Sequence, residues 1–203
     1  STLHSGHPLP QNTAYYKWDD ERNCTELWKQ YYVMNWKNAR FGNDKGQEEY
    51  CNAIEQAMVD FSKPISCNQN NSEFVLESLT VEARGKEDVL VVKYLNGRKV
   101  PFDMLPQGHK RIFSIVFDVA HRGYLLQKNC NPYAVVFIDE VELHLHPSLA
   151  QEVVQRFRRS FSNAQLVIST HSPLVIADYK QDEDNLLYLS LIHISEPTRL
   201  ALI

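Results

Sequence analysis

Apolar positions along this chain change spacing twice, and each change predicts a different kind of element. From Asp20 to Arg40 apolar and aromatic side chains recur at Cys24, Leu27, Trp28, Tyr31 and Tyr32, the one-sided spacing of a helix. Phe41-Gly42-Asn43-Asp44-Lys45-Gly46 breaks that run. A second helix is expected to follow, with Tyr50, Ile54, Ala57, Met58 and Phe61 on one side, stopping before Pro64. Residues 1–18 are polar and turn-rich, and Cys67 to Ser72 read as an Asn-rich link. Residues 1–72 are therefore expected to form a helical arm or lid.

The period then falls to two. Phe74–Ala83 and Val89–Leu95 read as strands, and Asn96-Gly97 predicts a type I′ hairpin that brings Arg98–Phe102 back alongside. This is a small antiparallel meander. A long helix is expected from Gln107 to about Lys128, with Ile112, Ile115, Val116, Val119 and Gly123 in one stripe, widened by Phe113, Phe117 and Tyr124. An apolar strand at 134–138 precedes a helix over Ser148–Phe161, with Leu149, Val153, Val154, Phe157 and Phe161 on its inner face. Pro147 suits the first helical position, where no amide hydrogen is needed. A second apolar strand covers 165–169. Strand, helix and strand predict a parallel unit. Neither strand alternates, which predicts helices over both faces of its sheet.

Composition narrows the classes. The chain has 203 residues, 43% of them hydrophobic, enough for one domain or one domain with a small appendage. A formal charge of −4 gives no global signal for nucleic acid. No apolar run approaches the ~20 residues of a bilayer span. Cys24, Cys51, Cys67 and Cys130 are scattered without a C-x-x-C pair, the usage of reduced thiols in a cytoplasmic protein.

Two stretches carry the chemistry. Ala134–Ile138 ends in Asp139-Glu140 and continues through Glu142, Leu143, His144, Leu145, His146 and Pro147. Gln165–Ile168 ends in Ser169-Thr170-His171-Ser172-Pro173. Ligands of α/β sheets sit at the carboxyl ends of strands. Asp139 fits the single carboxylate that Mg²⁺ takes beside phosphate oxygens and water. Glu140 is placed to orient or deprotonate an attacking water. His171 is placed to hydrogen-bond a γ-phosphate, while Thr170 or Ser172 caps a short helix. Leu105-Pro106-Gln107-Gly108-His109-Lys110-Arg111 opens the long helix, and a helix start with glycine presents backbone amides to an anion, with two cations one turn in. Each motif alone has an ordinary structural reading: a solvated acidic turn, a helix cap, a basic first turn. Glu142, His144 and His146 alternate in a way that zinc could use, though no cysteine stands near. Arg156, Arg158 and Arg159 read as a solvated helix face with a weaker option of touching phosphate.

Taken together, in this order and spacing, the three segments resemble the ABC-type ATPase heads, closest to the AAA-family ATPases related to the RecF, SMC and OLD groups. The resemblance covers about residues 74 to 188. It implies an α/β fold, a partial P-loop NTPase with a parallel sheet, the antiparallel meander and the helical arm. It implies ATP with Mg²⁺ as cofactors, Asp139 as the metal ligand, Glu140 as the catalytic base and His171 as the switch histidine. Gln107, Gly108, Lys110 and Arg111 would face the γ-phosphate of ATP held by a partner subunit, in a homodimer closed by nucleotide. The implied service is DNA repair or anti-phage defence, with a DNA or nuclease partner. A regulatory ATPase in an OLD-type nuclease and an inactive dimerisation module are the alternatives.

Two departures qualify the resemblance, and the chain's tail is a separate matter. Pro106 stands where the family has serine, which removes one hydrogen bond to phosphate, about 1.5–3 kcal/mol for a charged partner. No Gly-x-x-x-x-Gly-Lys-Ser/Thr loop occurs, which is expected if coding sequence before Ser1 is missing. The run Leu189–Arg199 resembles the translation of a transposon-library sequencing adapter, so residues 189–203 are expected to be foreign to the fold, leaving 73–188 as the ATPase part. An apolar sheet edge without its neighbour predicts poor solubility and no turnover for the chain by itself.

Overall fold

The computed structural model describes residues 24–65, 74–85 and 87–177. The first loop, the Asn-rich link and the adapter-like tail lie outside them. Two helices, α1 (Cys24–Gly42) and α2 (Lys45–Ser62), lead into three strands, β1 (Leu76–Arg84), β2 (Glu87–Tyr94) and β3 (Lys99–Pro101). One 3₁₀ turn (Phe102–Met104) leads to α3 (Gln107–Gln127). Strand β4 (Val135–Ile138), helix α4 (Pro147–Ser160), strand β5 (Gln165–Ile168) and the short α5 (Pro173–Ala177) complete the order. The expected mixed α/β class holds: β1-β2-β3 is antiparallel, and β4 pairs with β5 in parallel, Val135 against Gln165 through Ile138 against Ile168.

Local chemistry explains the boundaries. Asp44 caps α2, its carboxylate accepting from the amides of Gly46 and Gln47. Pro147 stands at the start of α4 as expected, and the His146 ring accepts from the Ser148 amide as the cap. The hairpin after β2 differs from the expected type I′ turn. Gly97 has φ +82, while Asn96 is not among the residues with positive φ. The Gly97 amide donates to Tyr94 O at 2.9 Å, and the Tyr94 amide to Arg98 O at 2.9 Å. This is a three-residue loop, a type I turn closed by a left-handed glycine. The Asn96 side chain takes the Arg98 amide at 3.0 Å, so asparagine serves as acceptor where a I′ turn would have used its backbone freedom.

The core runs along α3. Ile112, Phe113, Val116, Phe117 and Ala120 are buried against Trp28 and Tyr32 of α1, Ile54, Met58 and Phe61 of α2, and Leu79 and Val92 of the meander. Phe113 stacks on Phe74 at 4.9 Å. Within this aromatic layer His121 is fully buried, bonded to the Tyr50 hydroxyl at 2.7 Å. The same core continues into α4 through Leu149, Val153 and Phe157.

α4 reaches back to α2 by charge as well as packing. Arg156, 2% exposed, holds Glu152 through two nitrogens at 3.1 and 2.8 Å and donates to the carbonyls of Phe61 and Ser62 at 3.3 and 2.6 Å. Arg159 donates to the carbonyls of Asp60, Lys63 and Pro64. These guanidiniums satisfy the last carbonyls of α2, where cations are also favoured by the helix dipole. The expectation of a solvated face is thus corrected for Arg156, which is buried; Arg159 stays exposed while it holds backbone carbonyls.

The expectation of helices over both faces of the parallel sheet is corrected too. Ile138 and Ile168 point inward, but Val135 is 55% and Phe137 73% exposed. Period-two geometry puts these two on the same face. Among the described residues that face of β4 has no cover.

Candidate active site

The carboxyl ends of β4 and β5 gather the polar residues that the sequence singled out. After Ile138 the chain turns sharply: Glu140 has φ +46, a left-handed conformation rare outside glycine, asparagine and aspartate. Ser169, at the end of β5, holds this turn. Its hydroxyl donates to an Asp139 carboxylate oxygen and accepts from the Glu140 amide at 2.9 Å. Its carbonyl accepts the Val141 amide at 3.2 Å. Asp139 stays exposed and Glu140 half-buried, so both carboxylates open at the mouth of the sheet.

Glu142 ties the two strand ends together. Its carboxylate accepts from the Thr170 hydroxyl at 2.6 Å and from the His171 amide at 2.7 Å. Burial pushes the Glu142 carboxyl up, but the Thr170 hydroxyl and the amides of Glu142 itself and His171 more than offset it, holding the group below the usual carboxylate range. The imidazole of His171 is exposed above this network.

The start of α3 lies against the same loop. A Cβ on Gly108 would meet the His144 carbonyl oxygen at 2.2 Å, so only glycine lets the Glu142–Leu145 turn cross here. His144 itself has φ +64. Pro106 supplies no side-chain cap to α3. Lys110 pairs with Asp103 at 3.4 Å, which also takes Lys29 at 2.7 Å. Gln107 is exposed. Arg111, expected at a phosphate, donates instead to the carbonyls of Asp139 at 2.6 Å and Val141 at 3.3 Å. Burial pulls its guanidinium below the ordinary range, while Glu140, Glu142 and Asp139 pull it back up. His109 is held down by burial and by the nearby Arg98 and His146 charges, with its ring edge-on to Phe74 at 4.7 Å.

Asp139 and the Ser169 hydroxyl offer oxygen donors, the kind a hard cation such as Mg²⁺ takes with phosphate and water, so these residues fit that ion. Among the described residues no three His, Cys, Asp or Glu side chains form a cluster that could hold a metal. The alternating Glu142, His144 and His146 do not converge on one point: Glu142 faces Thr170, and the His146 ring is bonded to Ser148. Sequence reasoning missed the support given by Ser169 and Glu142. A serine directly after a buried strand, and an acid two residues past the acidic pair, were the available signals.

Residues 52–177 match the family described as "AAA domain, putative AbiEii toxin, Type IV TA system". The chain belongs to that family. The expected likeness to ABC-type AAA-family ATPases therefore holds. A relative named "Retron Vc95 probable ATPase", from Vibrio cholerae serotype O1 biovar El Tor, is 38% identical over 100 residues, 47% of this chain and 19% of its own length. "Retron Ec83 probable ATPase" from Escherichia coli is 40% identical over 96 residues, 45% of this chain and 17% of its own length. The matched part of this AAA chain thus spans less than a fifth of either relative. A solved structure from work on the ATP-driven dimerization and DNA-stimulated activation of SMC ATPases aligns over 88% of this chain and 89% of its own, with TM-score 0.49 and 11% identity; at that level it carries no functional weight. No described helix of the AAA chain is long and apolar enough to cross a membrane.

Proposed function

We propose that this chain is part of an ATP-hydrolysing head in which Asp139 holds Mg²⁺, Glu140 is the catalytic base and His171 senses the γ-phosphate. The observation that carries the reading is the meeting of Asp139, Glu140 and Glu142 with Ser169, Thr170 and His171 at the ends of two paired parallel strands. Two relatives carrying the name "probable ATPase" support it. Bound Mg²⁺ would screen phosphate charge as the β–γ bond breaks. The chain's own part is to keep Glu140 aimed and able to accept a proton, and to set the His171 ring where a phosphate oxygen could accept from it.

Gln107 and Lys110, on the first turn of α3, would face the γ-phosphate bound by a second subunit, so that each head of a homodimer completes the other's site; Gly108, expected there too, lies beneath the His144 carbonyl instead. DNA repair or anti-phage defence in the cytoplasm, with a DNA or nuclease partner, is the setting that the family likeness favours. Residues 1–72 and 73–188 would be the helical and ATPase parts of that head.

The test is turnover by the intact protein carrying Glu140→Gln. Hydrolysis is expected to fall by roughly 10²–10⁴-fold with ATP binding kept. Unchanged turnover would remove Glu140 from the mechanism.

A further inference from the structure

We propose that Arg111 is a positioning residue that fixes the backbone of the Asp139–Val141 turn and so aims Glu140; this rests on the catalytic reading of Glu140 above. Five backbone groups of that turn are held by the Arg111 guanidinium, the Ser169 hydroxyl and carbonyl, and one local bond. The amides of Glu140 and Val141 go to Ser169, at 2.9 and 3.2 Å. The Glu140 carbonyl accepts the Leu143 amide at 3.0 Å. The two flanking carbonyls, of Asp139 and Val141, go to Arg111 at 2.6 and 3.3 Å. One planar guanidinium thus bridges the residues on either side of Glu140, whose φ of +46 is a conformation that persists only where neighbours over-determine it.

The chemistry of this choice suits a proton acceptor. Among the described residues the Arg111 bonds run to carbonyl oxygens, so its charge stands near Glu140, Glu142 and Asp139 without occupying the Glu140 carboxylate. Among the described residues the Glu140 carboxylate accepts no bond, and that of Asp139 accepts from the Ser169 hydroxyl. Arg111 also sits on the first turns of α3, the helix whose Gly108 is pressed under the His144 carbonyl. A displacement of that helix start therefore moves the Glu140 turn with it. A nucleotide contacting the helix start would in this way set the aim of the base on the same chain.

Two variants of the intact protein test this, Arg111→Met and Arg111→Lys, read by amide hydrogen exchange without nucleotide and by steady-state kinetics with ATP. In Arg111→Met, exchange over residues 139–143 is expected to rise by ~10-fold or more, while residues 112–127 of α3 keep their protection and report that the variant is folded. Its kcat is expected to fall by roughly 10–100-fold, because a base displaced by about an ångström loses that much, with KM within about threefold of the parent. Lysine reaches one carbonyl and should lie between. Unaltered exchange in both variants would overturn the clamp. A KM raised by more than about tenfold at constant kcat would overturn it in favour of a phosphate contact. Faster exchange in Arg111→Met together with full turnover by Glu140→Gln would uphold the clamp and sink the catalytic reading it rests on.

Discussion

The meander and the parallel strand pair are made of similar apolar residues, yet they live in different surroundings. β2 buries Leu90, Val91, Val92 and Tyr94, so both of its faces are covered. β4, as apolar in sequence, buries Ile138 and leaves Phe137 73% exposed. The meander is backed by three helices and an aromatic layer. The parallel pair is backed on one face, and its strand ends carry the strained Glu140, the charged cluster and the Gly108 crossing. The spacing and type of the apolar residues decide that a segment becomes a strand; its neighbours decide how much water it loses. In this molecule the packed region supplies stability, and the thinly covered one supplies exposed polar groups.

Removing a ring in each region gives the widest contrast. Phe113→Ala, in the packed layer, is expected to cost about 3–5 kcal/mol in chemical denaturation. Phe137→Ala should stay within about 0.5 kcal/mol and raise solubility, since an exposed apolar face favours association. Equal losses would break the comparison. Gly108→Ala comes next, at about 1–3 kcal/mol, because the new methyl group meets backbone rather than a flexible side chain. Faster exchange at Leu145, with the meander unchanged, is the signature to look for; a silent substitution would mean the loop gives way freely.

A pH slope inside the packed region sharpens the contrast in another way. Burial pushes His121 down to about 3, with the Arg122 charge adding to it, so the folded chain refuses a proton that the unfolded chain takes up below about 6.5. This costs stability as pH falls from 6.5 toward 3. Burial pushes Asp118 up to about 7 against the pull of Arg122, so the folded chain keeps a proton that the unfolded chain releases above 3.8. That costs stability as pH rises toward 7. The two slopes oppose each other between about pH 4 and 6.5. Asp118→Asn removes one of them, and stability should then fall toward acid about 1.4 kcal/mol per pH unit more steeply than in the parent. Parallel curves for variant and parent would show that Asp118 does not hold its proton.

Much of this was legible in the residues themselves. Pro64, Pro147 and the periodicity of Ile112–Tyr124 announced the helices, because helix rules act within a turn or two of chain. The strand ends bearing Asp139 and His171 were legible for the same local reason. Long-range partners were not. Nothing near Arg156 in sequence says that it will find the carbonyls of residues 61 and 62, and nothing near Arg111 names Asp139 and Val141 as acceptors. The exposure of Phe137 was illegible because an apolar run reads alike whether one side or two will be covered. Asn96-Gly97 failed in a finer way: the dipeptide fixes a reversal, while the number of residues in the loop depends on how β2 and β3 pair.

The grip of Arg156 and Arg159 on the end of α2 has a mechanical outcome. Peeling that helix away would leave Arg156 with Glu152 alone and bare five carbonyls in one step, so the amino-terminal helices and the carboxyl-terminal strands should melt as a unit. A protease cut just after Ile65 would sever the covalent thread and leave this seam of guanidinium-to-carbonyl bonds holding the two fragments together.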